Sequence, residues 1–244
     1  MLDLSKCIIS EKEFLVTDLH KNLTNGNIFI TKQSLDCSIQ VLSQDLLTDV
    51  IIHCSGKNNK IIIEENSNLI NCGIYITGDN NTIKIGKDCK LKGTYFMCIE
   101  NNNEINLENQ VTTAGEFWGK VYFHTMEGSK ISCGNDCMFS GNIVLRTTDG
   151  HAIINDSGNR INLPKNITLG NHVWCGMNSV ILKGSNIPNN SIIGANSVVN
   201  KQFKLVPNKT LYIAGNPAKI VKCNKTYWVR QRGFNFSSAD YKIN

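Results

Sequence analysis

Among the side chains able to move a proton, His151 stands in the most telling place. It closes the triplet Asp149-Gly150-His151 inside a polar, turn-rich segment that runs from Arg146 to Lys165. An imidazole can take up a proton near neutral pH and return it, which is what a poor nucleophile such as a hydroxyl requires of a general base. Taken alone, a loop histidine is more often a solvated surface residue, and both readings stay open at this level. The other histidines (His20, His53, His124 and His172) are far apart, and His124 and His172 read as structural or surface residues. Cys133 and Cys137 are close in sequence but have no matching Cys or His pair at zinc-ligand spacing, so no metal is expected.

What positions such residues is a repeat. Every sixth residue from Leu169 is apolar: Leu169, Cys175, Ile181, Ile187, Ile193 and Val199. Four residues after each of the first five stand small or β-branched residues: Val173, Ser179, Ser185, Ser191 and Ser197. This period is neither that of a helix nor that of a simple amphipathic strand. It fits a parallel β-helix in which short strands turn a corner every hexapeptide and three of them close a triangular coil. The apolar track then points inward, the small track lies at the corners, and Asn171, Asn178, Asn190 and Asn196 supply residues that tolerate left-handed turns. Cys133, Phe139 and Leu145 continue the track before the polar segment interrupts it, so Cys133, Cys137 and Cys175 read as small core residues. An interrupted repeat is where a solenoid usually carries its function.

A second repeat recurs every 22 residues, at Ser55–Ile63, Thr77–Ile85 and Ile99–Leu107, with an Asn-Asn turn before an alternating strand. Stacked asparagines can hydrogen-bond along such a ladder. Twenty-two exceeds three hexapeptides by four, which suggests a small corner insertion. A right-handed β-helix with longer coils fits this half equally. One continuous left-handed solenoid is the expectation, because it avoids a buried junction. Residues 1–50 are expected to cap it, with strands around Phe14–Val16, Ile28–Ile30 and Ile39–Val41 and a turn at Asn25-Gly26. The β-helix is expected over 51–204 with its loop at 146–166, followed by a C-terminal segment, 205–244. Phe117, Trp118, Tyr122 and Phe123 cluster where the pattern loosens, either packing a loop or forming an aromatic wall for a sugar.

Composition narrows the class. Charged residues make up 18% and hydrophobic ones 41%, and the net charge of +5 is mild. Short strands and turns are favoured over helices, and no dense basic patch with interleaved aromatics points to nucleic acid. No run approaches the roughly 20 apolar residues of a membrane span. No signal peptide is expected from the N-terminal residues, and the cysteine pattern leads to the expectation of a reduced, cytoplasmic setting.

The segments Ile167–Gly176, Ile192–Val199 and Ala214–Lys219 resemble the hexapeptide-repeat acyltransferases. The Asp-Gly-His triplet and Trp228 resemble the branch that O-acetylates sugars of capsules and O-antigens. The resemblance implies a left-handed β-helix, a homotrimer and acetyl-CoA as co-substrate. It makes His151 the catalytic base and places Trp174 beside the acetyl-CoA channel. It also puts Met177, Ala195, Asn200, Lys201, Lys219 and Lys222 on coenzyme-contacting positions. Met177 departs from the small polar residue common there, and lysine replaces arginine at 219 and 222, keeping charge but not bidentate geometry. Asp149 or Asp156 could orient the imidazole, and Arg146 and Arg160, which border the loop, could each meet an anionic sugar. The implied reaction moves acetyl from a thioester to a sugar hydroxyl. The alternatives are an N-acetyltransferase acting on a nucleotide-linked amino sugar and a non-catalytic glycan-binding β-helix.

Overall fold

The computed structural model describes residues 2–3, 14–15, 28–32, 37–42, 47–116 and 118–233. Among them the regular structure is strand, and the strands stack into a parallel solenoid with three faces. Face 1 includes Asn59–Ile63, Thr82–Ile85, Glu104–Leu107, Lys130–Cys133, Ile167–Leu169 and Asn186–Ile187. Face 2 includes Lys90–Lys92, Met138–Phe139, Trp174–Cys175 and Ser191–Ile193, and face 3 includes Thr94–Ile99, Val121–Met126, Ile143–Arg146 and Val180–Leu182. Asn68–Thr77 bends through the corner between faces 2 and 3, pairing with Lys90–Lys92 on one side and Thr94–Ile99 on the other. The face 1 ladder runs unbroken through Ile61, Ile83, Ile105, Ile131 and Ile167, so the two sequence repeats belong to one solenoid.

All six residues of the apolar track from Leu169 to Val199 are buried inside the prism, and so are the five of the small-residue track. Each full burial of an aliphatic side chain contributes about 1.5–3 kcal/mol. Serine suits the corners for a second reason. The hydroxyls of Ser179, Ser185 and Ser191 donate back to the carbonyls of Gly176, Leu182 and Pro188 at 2.6, 2.7 and 2.8 Å, which gives these turn carbonyls a side-chain donor.

The longer coils differ at the corner between faces 3 and 1. Here Asn59, Asn81 and Asn103 are buried, and the side-chain oxygen of each accepts the backbone N–H of the next coil, at 2.9, 2.9 and 3.2 Å, ending on Ser129. The preceding Asn58, Asn80 and Asn102 carry positive φ. Gly56, at φ +103°, cannot be replaced, because a Cβ there would stand 2.0 Å from the Gly78 carbonyl oxygen. Successive coils are offset by 22 residues in this half, 26 at Ser129, 36 where the polar loop intervenes, and 18 beyond it.

Three expectations need adjusting. Asn178 and Asn190 and Asn196 adopt left-handed turns, but Asn171 does not; His172 takes that conformation at φ +56°. Asn171 instead lends its side-chain oxygen to the N–H of Asn135 at 2.8 Å. The stack also begins upstream of residue 51, since Ile28–Lys32 and Cys37–Val41 already pair in parallel with Leu47–Cys54 and Asn59–Ile63. Finally, the cysteines are not uniformly thiols, for Cys37 and Cys54 form a disulfide. The expected strands at 14, 28 and 39 are present, whereas Val16, the Asn25-Gly26 turn and Phe117 lie outside the described residues.

At the far end Thr210–Gly215 joins face 2 in parallel with Ser191–Ile193 and then folds back, antiparallel, into Ala218–Asn224. The following residues, to 233, run back along face 2 and bury Trp228.

Candidate active site

The chain leaves the corner between faces 3 and 1 at Thr147, whose buried hydroxyl meets that of Ser129 at 2.6 Å. It returns when the Lys165 N–H reaches the Thr147 carbonyl at 3.0 Å. Between these points the loop folds on itself as a short antiparallel bridge, Ile154 to Arg160, with a turn closed by the Asn155 side chain. Asn162 is its hub. The side-chain oxygen accepts from Ile153 N–H at 2.7 Å and Arg160 Nε at 3.2 Å, while the amide nitrogen donates to Asp149 and to the His151 carbonyl, each at 2.8 Å. Two ion pairs tie this hub to the prism. Arg160 grips Glu127 with both terminal nitrogens, and Lys183 reaches Asp149 at 2.6 Å. Neither Glu127, Lys183 nor Asn162 is marked by any sequence pattern.

His151 is exposed on this fixed loop, and its ring makes no hydrogen bond to a described residue. The two carboxylates that could have oriented it do not do so: Asp149 is engaged by Lys183 and Asn162, and Asp156 is exposed in the turn.

The loop's ion pairs set a pH dependence. The Arg160 hydrogen bond, then that of Thr148, holds Glu127 below its ordinary value, and Lys183, then Asn162, does the same for Asp149. A depressed folded-state value means that their contribution is complete above the ordinary carboxylate range and is lost as pH falls through the lower folded values. Amide exchange protection across 148–163 is therefore expected to drop on acidification below about pH 4, while protection in the prism holds. Glu127→Gln should remove part of that dependence. Protection that stays flat down to pH 3 would contradict it.

Trp174 projects outward from face 2, in register between Met138 and Ile192. Its indole nitrogen is buried and has no partner among the described residues. The C-terminal segment lies against it, with Trp228 at 6.1 Å between ring centroids. Trp228 stacks flat on His172 at 3.9 Å and donates its indole N–H to the His172 carbonyl at 3.1 Å. The His172 ring meets Asp136 at 2.6 Å through Nδ1 and the Trp228 carbonyl at 3.0 Å through Nε2. The ring is thus clasped between a carboxylate and a main-chain carbonyl. Burial opposes charge on Asp136, but the His172 and Arg230 hydrogen bonds outweigh it and keep the carboxyl below its usual value. Arg230 also reaches Thr112, Gln110 and Cys137. His172 thus latches the tail, which explains a histidine at a turn position where asparagine would be easier.

The residues expected to hold the coenzyme fall into two groups. Met177 and Ala195 stack one coil apart at the corner between faces 2 and 3, linked by Asn196 N–H to the Met177 carbonyl at 2.9 Å. Lys219 pairs with Ala214 near that corner, and Lys222 lies over Tyr212 on face 2, the face that carries Trp174. Asn200 and Lys201 stand at the corner between faces 3 and 1, the corner from which the His151 loop departs. Face 2 lies opposite that corner, so a single chain holds His151 and Trp174 on different sides of its prism.

No family model matches the chain. A stretch of 160 residues, 65% of this chain and 72% of its relative, is 35% identical to the polysialic acid O-acetyltransferase of Neisseria meningitidis. The solved structure of the polysialic acid O-acetyltransferase OatWY matches with a TM-score of 0.76 at 32% identity, over 86% of this chain and 96% of the other. The chain belongs to the hexapeptide-repeat sugar O-acetyltransferases. Another relative in this family, the polysialic acid O-acetyltransferase of Escherichia coli O1:K1, is 34% identical over 61% of this chain but only 45% of its own length. Like the matched structure, this sugar O-acetyltransferase is a left-handed parallel β-helix. Cys137 and Cys175 are core residues rather than nucleophiles. Burial pushes the Cys137 thiol up to about 12 and that of Cys175 well above its ordinary value, and both are buried in the prism. The described residues contain no group of three or more His, Cys, Asp or Glu placed to hold a metal, and no helix long and apolar enough to cross a membrane.

Proposed function

We propose that the protein transfers acetyl from acetyl-CoA to a hydroxyl of a sugar in a bacterial surface polysaccharide or its precursor, with His151 as the general base. The observation that carries this reading is the His151 ring itself: exposed, unpaired, and mounted on a loop whose every firm contact is made by other atoms. The imidazole takes the hydroxyl proton as the oxygen attacks the thioester carbonyl. It then protonates the departing thiolate. The unpartnered indole N–H of Trp174 is a buried donor available to the tetrahedral oxyanion.

This chemistry brings His151 and Trp174 to one acyl group, so the catalytic unit is read as an oligomer, a homotrimer by family resemblance, with the loop of one copy facing Trp174 of the next. Met177, Ala195, Lys219 and Lys222 then accompany Trp174 along the coenzyme, and Asn200 and Lys201 reach it from the neighbouring copy. The relatives' action on polysialic acid supports a polysaccharide acceptor, and use of acetyl-CoA puts the reaction in the cytoplasm.

Calorimetric titration with coenzyme A, together with labelled acetyl transfer to a panel of sialylated and neutral oligosaccharides, tests the reading. Saturable coenzyme binding and an acetyl ester on a sugar oxygen are expected. Absence of coenzyme binding would leave a glycan-binding solenoid, and acetylation of an amino sugar nitrogen would transfer the reading to N-acetylation.

A further inference from the structure

Of the two arginines that border the loop, only one is spent. Arg160 is held bidentate by Glu127. Arg146 ends the face 3 strand Ile143–Arg146 on its outward side, between His124 of the preceding coil and Leu182 of the next. Its side chain forms no hydrogen bond or ion pair with a described residue, and its Nε is buried without a partner. The Nε2 atom of His124 beside it is likewise buried and unpartnered. Burial, and then the Arg146 charge, lowers the pKa of His124.

A guanidinium N–H taken from water without an acceptor is costly, and a chain usually answers it with a carboxylate. The nearby carboxylates are already engaged, Asp149 by Lys183 and Asn162 with a further pull from the Arg146 charge, and Glu127 by Arg160 and Thr148, while Asp156 stands exposed in the turn. The Arg146 guanidinium also underlies the turn that precedes the base. A Cβ at Gly150, φ +79°, would stand 2.7 Å from its terminal nitrogen, so glycine is required there. On the same outward face, two residues before His124, Tyr122 packs against Tyr95 at 5.5 Å and presents an aromatic surface.

We propose that Arg146, flanked by His124, is the acceptor's anion subsite: it takes the carboxylate of an acidic sugar and so makes this protein select an anionic glycan. The proposal rests on the reading of His151 as the base, because it places the acceptor beside that residue. A planar guanidinium matches a carboxylate with paired N–H donors. Gly150 joins the subsite to the base through the chain, so seating the carboxylate fixes the acceptor relative to the imidazole. Tyr122 offers an apolar wall to the pyranose face.

The test is a binding measurement, which does not depend on turnover. Saturation-transfer NMR titrations would compare a sialic acid trimer, the same trimer with its carboxyl groups reduced to alcohols, and a galacturonic acid trimer, each against the full-length wild type and Arg146→Gln. Wild type is expected to prefer the acidic trimer to its reduced form by at least about tenfold, and Arg146→Gln should bring that ratio within about twofold. Arg146→Lys should restore part of it. The galacturonic arm separates recognition of sialic acid from recognition of any acidic sugar. No preference in the wild type, or a preference that survives in Arg146→Gln, overturns the proposal. So does a change of oligomeric state in Arg146→Gln by light scattering, because the guanidinium would then serve a subunit contact. If the preference behaves as expected but no acceptor is acetylated, the subsite stands and the catalytic reading fails. If acidic and reduced trimers are acetylated equally well, the catalytic reading stands and the subsite fails.

Discussion

His151→Ala is expected to lower acetyl transfer by about 10²–10⁴-fold, the usual loss when a positioned general base is removed, with coenzyme A binding and oligomeric state retained. The selectivity of that loss follows from how the loop is held. Asn162 bonds the main-chain carbonyl of His151, which alanine keeps, and the Arg160–Glu127 and Lys183–Asp149 pairs do not involve the ring. The ring is exposed, so removing it opens no cavity in the prism. Steady-state turnover at saturating acetyl-CoA, read alongside a calorimetric coenzyme titration, measures both sides of the statement. Turnover within about threefold of the parent would remove His151 from the role of base. A parallel loss of coenzyme affinity would instead assign it to donor binding.

Phe123→Ala should cost about 3–5 kcal/mol of stability, the range for emptying a buried aromatic site. Its ring is fully enclosed, stacked on Phe96 at 5.2 Å and meeting Phe139 edge-on at 5.3 Å, so three successive coils share one aromatic column. Coils in a solenoid are stabilised chiefly by their neighbours. The loss should therefore reach the adjoining coils, among them the one from which the His151 loop departs. The adjacent Tyr122→Ala removes a half-buried ring from the outward face, where it packs against Tyr95, and should cost far less. Denaturant titrations of the two variants make the comparison, and a Phe123→Ala cost below about 1 kcal/mol would contradict a close-packed interior column.

That pair of neighbours shows where sequence reading stops. Phe117 to Phe123 reads along the chain as one aromatic cluster, yet strand alternation sends Phe123 into the prism and Tyr122 out of it. Among the described members of that cluster, Trp118 is left largely in solvent. The cysteines divide in the same way. The period identifies Cys133, Cys137 and Cys175 as interior residues, but nothing in it pairs Cys37 with Cys54, because that contact depends on how one coil closes.

By itself the sequence determined the solenoid, its inward and corner residues, the asparagine ladder and the place of the interrupting loop. A repeat makes each coil's environment the same as its neighbour's, so burial follows directly from period. Tertiary structure alone decided what crosses that period. It showed that Asn162 anchors the loop, that Glu127 occupies Arg160 and leaves Arg146 free, and that His172 clasps Trp228 from 56 residues away. It also set His151 and Trp174 on different sides of one prism. These contacts join side chains whose separations share no repeat, and their partners are fixed only when the loop and tail fold back across coils already stacked.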